Sequence, residues 1–106
     1  MLNNKEKEVI KRFKNEVKES LEGRLDRIVL FGSRARGDAE LDSDFDFLVT
    51  VRRLQKSDRY TVREIASDLS LEFETVVTVL LLPTEDFRED RYFYLYENIQ
   101  KEGQVV

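Results

Sequence analysis

The stretch that decides the fold begins Ile28-Val29-Leu30-Phe31-Gly32-Ser33-Arg34-Ala35-Arg36-Gly37 and continues, after a polar interval, with Ser43-Asp44-Phe45-Asp46-Phe47-Leu48-Val49. A short apolar run that ends at a glycine is typical of a buried strand followed by a turn. In the second part aromatic residues alternate with acids, which predicts a strand over residues 45–51 with the aromatic side chains on its core face. Asp44 and Asp46 then share the opposite face.

The two aspartates have the spacing of a metal site. Two acids at positions i and i+2 of a strand lie about 6.5 Å apart along it, so both carboxylates can reach one cation or bridge two. Two neighbouring negative charges raise a carboxyl pKa unless a cation neutralises them. Taken alone, such a pair is more often a solvent-facing feature of an edge strand, and it is the residues upstream that favour a site.

Those upstream residues favour phosphate binding. Gly32 and Ser33 follow a strand directly and open a turn, which presents backbone N–H groups and a hydroxyl to an anion. Arg34 and Arg36 add positive charge in the geometry that suits phosphate, although a solvated charged turn is the plain alternative. A phosphate cradle beside a pair of metal-binding acids is what nucleotidyl transfer requires.

The composition excludes several other kinds of chemistry. The 106 residues contain no His and no Cys, with 18 Lys and Arg against 22 Asp and Glu and a net charge of −4. Imidazole and thiolate catalysis, disulfides and zinc sites built on those ligands are therefore excluded, and oxygen ligands favour Mg, Ca or Mn. The acidic balance disfavours direct DNA binding as the main role.

Length and hydropathy predict one cytoplasmic domain. A chain of 106 residues fits a single domain spanning residues 1–106. No apolar stretch is long enough to span a bilayer, and the N-terminus shows no secretory signal, so we expect no membrane association and a cytoplasmic location.

Hydrophobic periodicity predicts the order α-β-β-α-β-α, an α/β (α+β) fold in which helices pack on a small mixed sheet. The expected elements are a helix capped by Asn3 or Asn4 and ended by Gly23, strands over residues 28–31, 45–51 and 75–82, a helix capped by Ser57 or Asp58, a short helix capped by Thr84, and a last helix over residues 92–102.

The string Gly32-Ser33-x-x-Arg36-Gly37, followed by Ser43-Asp44-x-Asp46, resembles the motif of the DNA polymerase beta nucleotidyltransferase superfamily. The short chain is similar to its minimal nucleotidyltransferase (MNT) family. The resemblance implies Mg²⁺-dependent transfer of AMP from ATP to a hydroxyl. It also implies a toxin–antitoxin pair in which the partner is a HEPN-domain toxin, neutralised by AMPylation of a tyrosine.

Carried over residue by residue, the resemblance implies catalytic, metal-ligating roles for Asp44 and Asp46. It implies nucleotide binding by four residues: Gly32, Ser33, Arg36 and Ser43. The family usually has a third carboxylate on the strand after the second long helix, and the corresponding position here falls near Thr78. Glu74 is the alternative third metal ligand, but it lies four residues earlier, roughly 13 Å along an extended strand.

Three functional hypotheses follow. The first is an Mg²⁺-dependent adenylyltransferase acting on a HEPN partner. The second is a non-catalytic antitoxin that neutralises its partner by binding, which the missing third acid motivates. The third, a small-molecule nucleotidyltransferase, is disfavoured because a second domain to wall a substrate pocket is lacking. The aromatic run over residues 92–96 is explained either by core packing or by an interface, with an obligate partner or in a homodimer.

Overall fold

The computed structural model describes residues 3–37, 43–88 and 90–106. Helix α1, Asn4–Leu21, begins as the sequence predicts, because Asn3 accepts a hydrogen bond from the Glu6 amide while Glu6 accepts one from the Asn3 amide, both at 2.8 Å. The reciprocal pair satisfies two amides that a helix start leaves open. The helix ends at Leu21 with Glu22 as its C-cap, one residue before Gly23, and its apolar stripe is buried.

A four-stranded mixed sheet forms the centre of the molecule, in the order β3-β2-β1-β4. Its strands are β1, Leu25–Phe31, β2, Phe45–Val51, β3, Val77–Pro83, and β4, Gln104–Val105. β1 runs antiparallel to both of its neighbours, β2 and β4, whereas β2 and β3 are parallel. The remaining helices are α2, Ser33–Arg36, α3, Lys56–Glu72, a 3-10 turn, Thr84–Asp86, and α4, Phe93–Glu102. The predicted mixed sheet with helices packed on it is confirmed.

The alternation in β2 divides the core into two layers. The first layer contains Phe45, Phe47 and Val49 of β2, which are fully buried against apolar residues of α1 and α3. Phe13 of α1 stacks on Phe47 with ring centroids 4.3 Å apart. Leu48 points to the other layer, which contains Ile99 of α4. The face that carries Asp46 is therefore the face that α4 partly covers.

The aromatic run before and within α4 is split between core and surface. Tyr92 packs against the second core layer and Phe87 contacts Tyr96 with centroids 5.3 Å apart. Phe93 and Tyr94 are 52% and 82% exposed. Core packing therefore explains part of the run, and an interface at the exposed residues stays a prediction.

Several predicted boundaries were wrong. β1 begins at Leu25 instead of Ile28, and β3 at Val77 instead of Thr75. α3 is capped by Gln55, and Asp58 instead accepts from the Gln55 amide at 2.8 Å. Thr84 was expected to cap the short helix, but Pro83 occupies that position. The sequence prediction missed β4 altogether. Across the described residues, no helix has the length and apolar character needed to cross a bilayer.

Candidate active site

The turn after β1 touches a carboxylate of β2. Phe31 pairs with Asp46 across the antiparallel strands, and Gly32 follows with φ +76° and ψ −160°. A Cβ at Gly32 would collide with Oδ2 of Asp46 and lie 3.3 Å from its Cγ. Both the backbone conformation and the close approach require glycine here. The structure thus brings together Gly32 and Asp46, which sequence analysis placed in one site.

The residues after Gly32 form a single helical turn. The amides of Ala35 and Arg36 donate to the Gly32 carbonyl at 3.1 and 3.2 Å, and the Gly37 amide donates to the Ser33 carbonyl at 3.0 Å. Gly37 ends the turn in the left-handed region, with φ +84°. Ser33, half-buried, holds the first helical position, so the predicted phosphate-binding turn starts directly beside the Asp46 carboxylate.

The two aspartates differ in their surroundings. Asp44 is exposed just before β2, whereas Asp46 is half-buried within it. Burial raises the pKa of Asp46, the charge of Asp44 raises it further, and the positive charge of Arg36 lowers it. Because burial and a neighbouring charge both oppose ionisation, a cation bound at this point would relieve both costs.

The two arginines of the turn have separate roles. The Arg34 guanidinium is buried: it donates to Glu6 at 3.1 Å and to the Ser43 carbonyl at 2.8 and 3.1 Å, and it lies 4.1 Å from the centre of the Phe45 ring. The expectation that Arg34 supplies charge to a phosphate is therefore wrong, because its donors hold α1 and the start of β2 together. Half-buried Ser43 is fixed through its carbonyl by this contact.

Arg36 stays at the surface near the acids. It forms an ion pair with Glu102 of α4 at 3.1 Å, and the Gln104 side chain donates to the Ala35 carbonyl at 2.7 Å. Sequence analysis missed Glu102 and Gln104 as neighbours of the turn. No local pattern signals them, since each contact spans more than sixty residues.

The position expected for a third carboxylate is occupied by Thr78. In the parallel ladder Thr78 lies directly opposite Asp46, and its side chain is exposed. Paired residues of neighbouring strands point to the same face, so Thr78 stands beside Asp46 at the same edge of the site.

Glu74 does not take that position. The prediction that Glu74 lies on the strand is wrong, because α3 runs to Glu72 and Glu74 lies in the turn before β3, with φ +49°. Within residues 3–37, 43–88 and 90–106, no group of three or more acidic side chains is placed to hold a metal ion. Of the metal ligands expected from the sequence, Asp44 and Asp46 are therefore the candidates that remain among the described residues.

Comparison with known protein families decides the wider identity. Residues 10–106 match the model of the family described as "Nucleotidyltransferase domain".

The chain belongs to the nucleotidyltransferase domain family.

Two curated relatives of this nucleotidyltransferase come from Methanocaldococcus jannaschii. "Putative protein adenylyltransferase MJ0604" is 32% identical over 101 residues, which cover 95% of this chain and 97% of the relative. "Putative protein adenylyltransferase MJ0141" is 36% identical over 75 residues, covering 70% of this chain and 76% of the relative. The prediction of a nucleotidyltransferase enzyme is confirmed.

Solved structures share the fold. One is described as a mutant of the toxin–antitoxin MntA-HpeT; its matched chain is 22% identical, with a TM-score of 0.60 and coverage of 100% of this chain and 72% of that one. Another is described as a tri-AMPylated Shewanella oneidensis HEPN toxin in complex with MNT antitoxin, with 20% identity, a TM-score of 0.52 and coverage of 95% and 67%. The resemblance to minimal nucleotidyltransferases is confirmed at the level of fold.

The residues present fit a divalent metal in part. Asp44 and Asp46 are oxygen ligands, which hard cations such as Mg²⁺ prefer, and the raised pKa of Asp46 shows that the positive charge around this carboxylate does not offset its burial. Two protein ligands suffice where triphosphate oxygens and water complete the coordination, which is the usual manner of Mg²⁺ binding at nucleotide sites.

Proposed function

We propose that this nucleotidyltransferase transfers AMP from ATP to a hydroxyl of a partner protein, and that the acceptor is a tyrosine of a HEPN-domain toxin. The observation that carries the proposal is the contact between Gly32 and the Asp46 carboxylate. It sets a turn suited to a triphosphate against acids suited to a metal. The names of the two archaeal relatives and the AMPylated HEPN toxin support the acceptor class.

In this mechanism Asp44 and Asp46 would hold Mg²⁺. When bound, the metal would draw charge from the phosphate oxygens and stabilise the transition state. Gly32 and Ser33 seat the triphosphate, and Arg36 supplies positive charge beside it. Ser43 borders the site, where its carbonyl is fixed by Arg34.

The chemical step is a substitution at the α-phosphorus of ATP. The acceptor oxygen forms a bond to that phosphorus while the bond to the β-phosphate oxygen breaks, and pyrophosphate leaves. Because Thr78 offers no carboxylate to take the hydroxyl proton, we assign that proton to water. Weak base assistance is the chemical consequence of threonine at this position.

The test uses purified chain, α-phosphate-labelled ATP, Mg²⁺ and the HEPN-domain partner. We expect label on the partner with the native chain and none with the variant that combines Asp44→Asn and Asp46→Asn. The matched control combines Glu64→Gln with Asp68→Asn, which removes two exposed carboxylates of α3 and should leave labelling unchanged. Retained labelling by the Asp44→Asn, Asp46→Asn variant would contradict the assignment.

A second candidate function is neutralisation by binding alone, and threonine at the position opposite Asp46 favours it. Under this alternative the Asp44→Asn, Asp46→Asn variant protects cells from the partner as well as the native chain does. Under the first proposal protection is lost together with labelling, so one pair of measurements separates the two.

Four further expectations from the sequence stay predictions: a single domain over residues 1–106, a homodimer as the alternative to a partner complex, no direct DNA binding, and a cytoplasmic location.

A further inference from the structure

The outer edge of β3 borders a groove close to the candidate active site. β3 is the last strand of the described sheet, and a groove of about 420 Å³ lies between its edge and α3. The lining residues are Arg59, Val62, Arg63, Ala66 and Ser67 of α3, and residues 77–81 of β3. Thr78 lies opposite Asp46 and belongs to this lining, so the same strand borders the groove and flanks the site, although α3 packs on the other face of the sheet from Asp46.

The backbone of β3 shows which groups face the groove. The Phe45 amide donates to the Val76 carbonyl at 2.8 Å, so the even-numbered residues of this segment point their backbone groups toward β2. Neighbouring residues of a strand point theirs in opposite directions, which turns those of Val77, Val79 and Leu81 outward. Two side-chain contacts agree with this assignment.

Those contacts protect both ends of the edge. At one end the Val77 amide donates to Ser70 Oγ at 3.0 Å, and at the other Arg59 donates to the Leu81 carbonyl at 3.2 Å. Val79 lies between these two ends. In the described part of the chain, its outward amide and carbonyl pair with no other strand. An open strand edge of this kind is a template for an added strand, and its protected ends limit the pairing to a short segment.

The charge of the groove selects the partner. The charged side chains of the described lining are Arg59 and Arg63, on a protein whose net charge is −4. These two arginines attract an acidic segment, whereas a second copy of the chain bound at the same edge would place two pairs of arginines against each other. Charge complementarity therefore favours an acidic segment over a symmetric dimer.

We propose that the outer edge of β3 binds an acidic, extended segment of the acceptor protein as an added strand paired at Val79. The inference rests on the proposed function and specifies how the acceptor is held. An added strand lies about 4.8 Å beyond β3 and so about 10 Å from β2. A residue of that strand beside Thr78 points to the face of Asp46, which directs a tyrosine there toward the metal-binding acids.

The first experiment measures binding by fluorescence anisotropy, without ATP. The probe is a short labelled peptide with a central tyrosine, flanking valines and threonines, and acidic ends; its counterpart carries lysines at both ends. Two further versions of the acidic peptide are N-methylated at every second amide: one at the odd-numbered amides, the other at the even-numbered amides. We expect the acidic peptide to bind at least about tenfold more tightly than the lysine peptide. One methylated version should lose binding and the other should retain it, because strand pairing uses alternate residues.

The protein variants are Arg63→Glu, in the groove, and Lys7→Glu, an equal charge change on the exposed side of α1. We expect Arg63→Glu to weaken peptide binding about tenfold and Lys7→Glu to leave it unchanged. The proposal is overturned if the acidic peptide does not bind, if both methylated peptides behave alike, if the two variants behave alike, or if β3 edges join two copies in solution.

Binding and AMP transfer are scored separately. If the acidic peptide binds as expected but no acceptor receives AMP, the docking edge stands and the proposed function fails. If AMP is transferred to the partner equally well by the native chain and by Arg63→Glu, and neither discriminates between the peptides, the function stands and the docking edge fails.

Discussion

Asp46 lies near the start of β2 and Asp58 beyond its end. The surroundings of Asp58 stabilise its negative charge, whereas those of Asp46 destabilise it. Asp58 accepts hydrogen bonds from Arg24 at 2.6 and 2.9 Å and from the Gln55 amide at 2.8 Å. The Arg24 bond lowers the pKa of Asp58 despite burial, with further lowering by the Gln55 amide and the Arg24 charge. For Asp46, burial and Asp44 raise the pKa. The protein itself stabilises the charge of Asp58, whereas the charge of Asp46 is not offset by its surroundings.

The largest expected effect is on catalysis. Combining Asp44→Asn with Asp46→Asn should lower the rate of AMP transfer by more than about 10³-fold, because the variant lacks both proposed metal ligands. Initial rates at saturating ATP and Mg²⁺ measure it. A decrease of less than about tenfold would mean that the metal is held elsewhere.

The next largest effect is on the stability of the fold and concerns Asp58. Asp58→Ala should lower the free energy of unfolding by about 3 kcal/mol, since it leaves the Arg24 guanidinium without its carboxylate partner and removes an acceptor at the start of α3. Urea denaturation at neutral pH measures the change. Replacing both Arg24 and Asp58 by leucine should recover part of the loss, and a double variant as unstable as Asp58→Ala would contradict the explanation.

Glycine at position 32 gives a test with a matched control. Gly32 and Gly23 have φ of +76° and +85°, but a Cβ at Gly23 meets nothing within 4 Å, whereas one at Gly32 meets Asp46. Both alanine variants should lose about 1 kcal/mol to backbone strain, and Gly32→Ala should lose more. AMP transfer should fall with Gly32→Ala alone. Equal transfer rates in the two variants would show that the Asp46 contact does not matter.

Asp58 also predicts a pH dependence. Its pKa is lowered in the folded chain, so it binds fewer protons there than in the unfolded chain, and its contribution to stability is present above its ordinary pKa of 3.8. That contribution is lost as the pH falls through the folded pKa. The difference in unfolding free energy between the native chain and Asp58→Asn should therefore be constant near neutrality and shrink under acid. A difference that grows as the pH falls would mean that folding raises the pKa of Asp58 instead of lowering it.

The sequence predicted those features that depend on local pattern. The alternation over residues 45–51 located β2 and placed Asp46 away from the aromatic core, as observed. Gly32 was predicted as a turn because an apolar run ends there. These are periodicities of two residues or single turn residues, and they need no knowledge of the rest of the fold.

The features that sequence reasoning missed depend on distant contacts. Arg34 differs from Arg36 because Glu6, 28 residues away, and the Phe45 ring enclose it. β4 is two residues long and exists only through pairing with Val29 and Leu30 of β1. Neither feature has a local pattern to reveal it. The placement of the third-acid position near Thr78 stays a prediction; the register shows that Thr78 pairs with Asp46.

The most direct test of the account is the stability of Asp46→Asn with and without Mg²⁺ and a non-hydrolysable ATP analogue. Without them, removing a half-buried charge should raise the free energy of unfolding, by less than about 1 kcal/mol because solvent screens part of its cost. With them, the native chain should gain stability while Asp46→Asn gains much less, so the order reverses. If Asp46→Asn is the less stable chain without metal, or gains as much as the native chain with it, Asp46 is a structural acid and the proposed metal site is wrong.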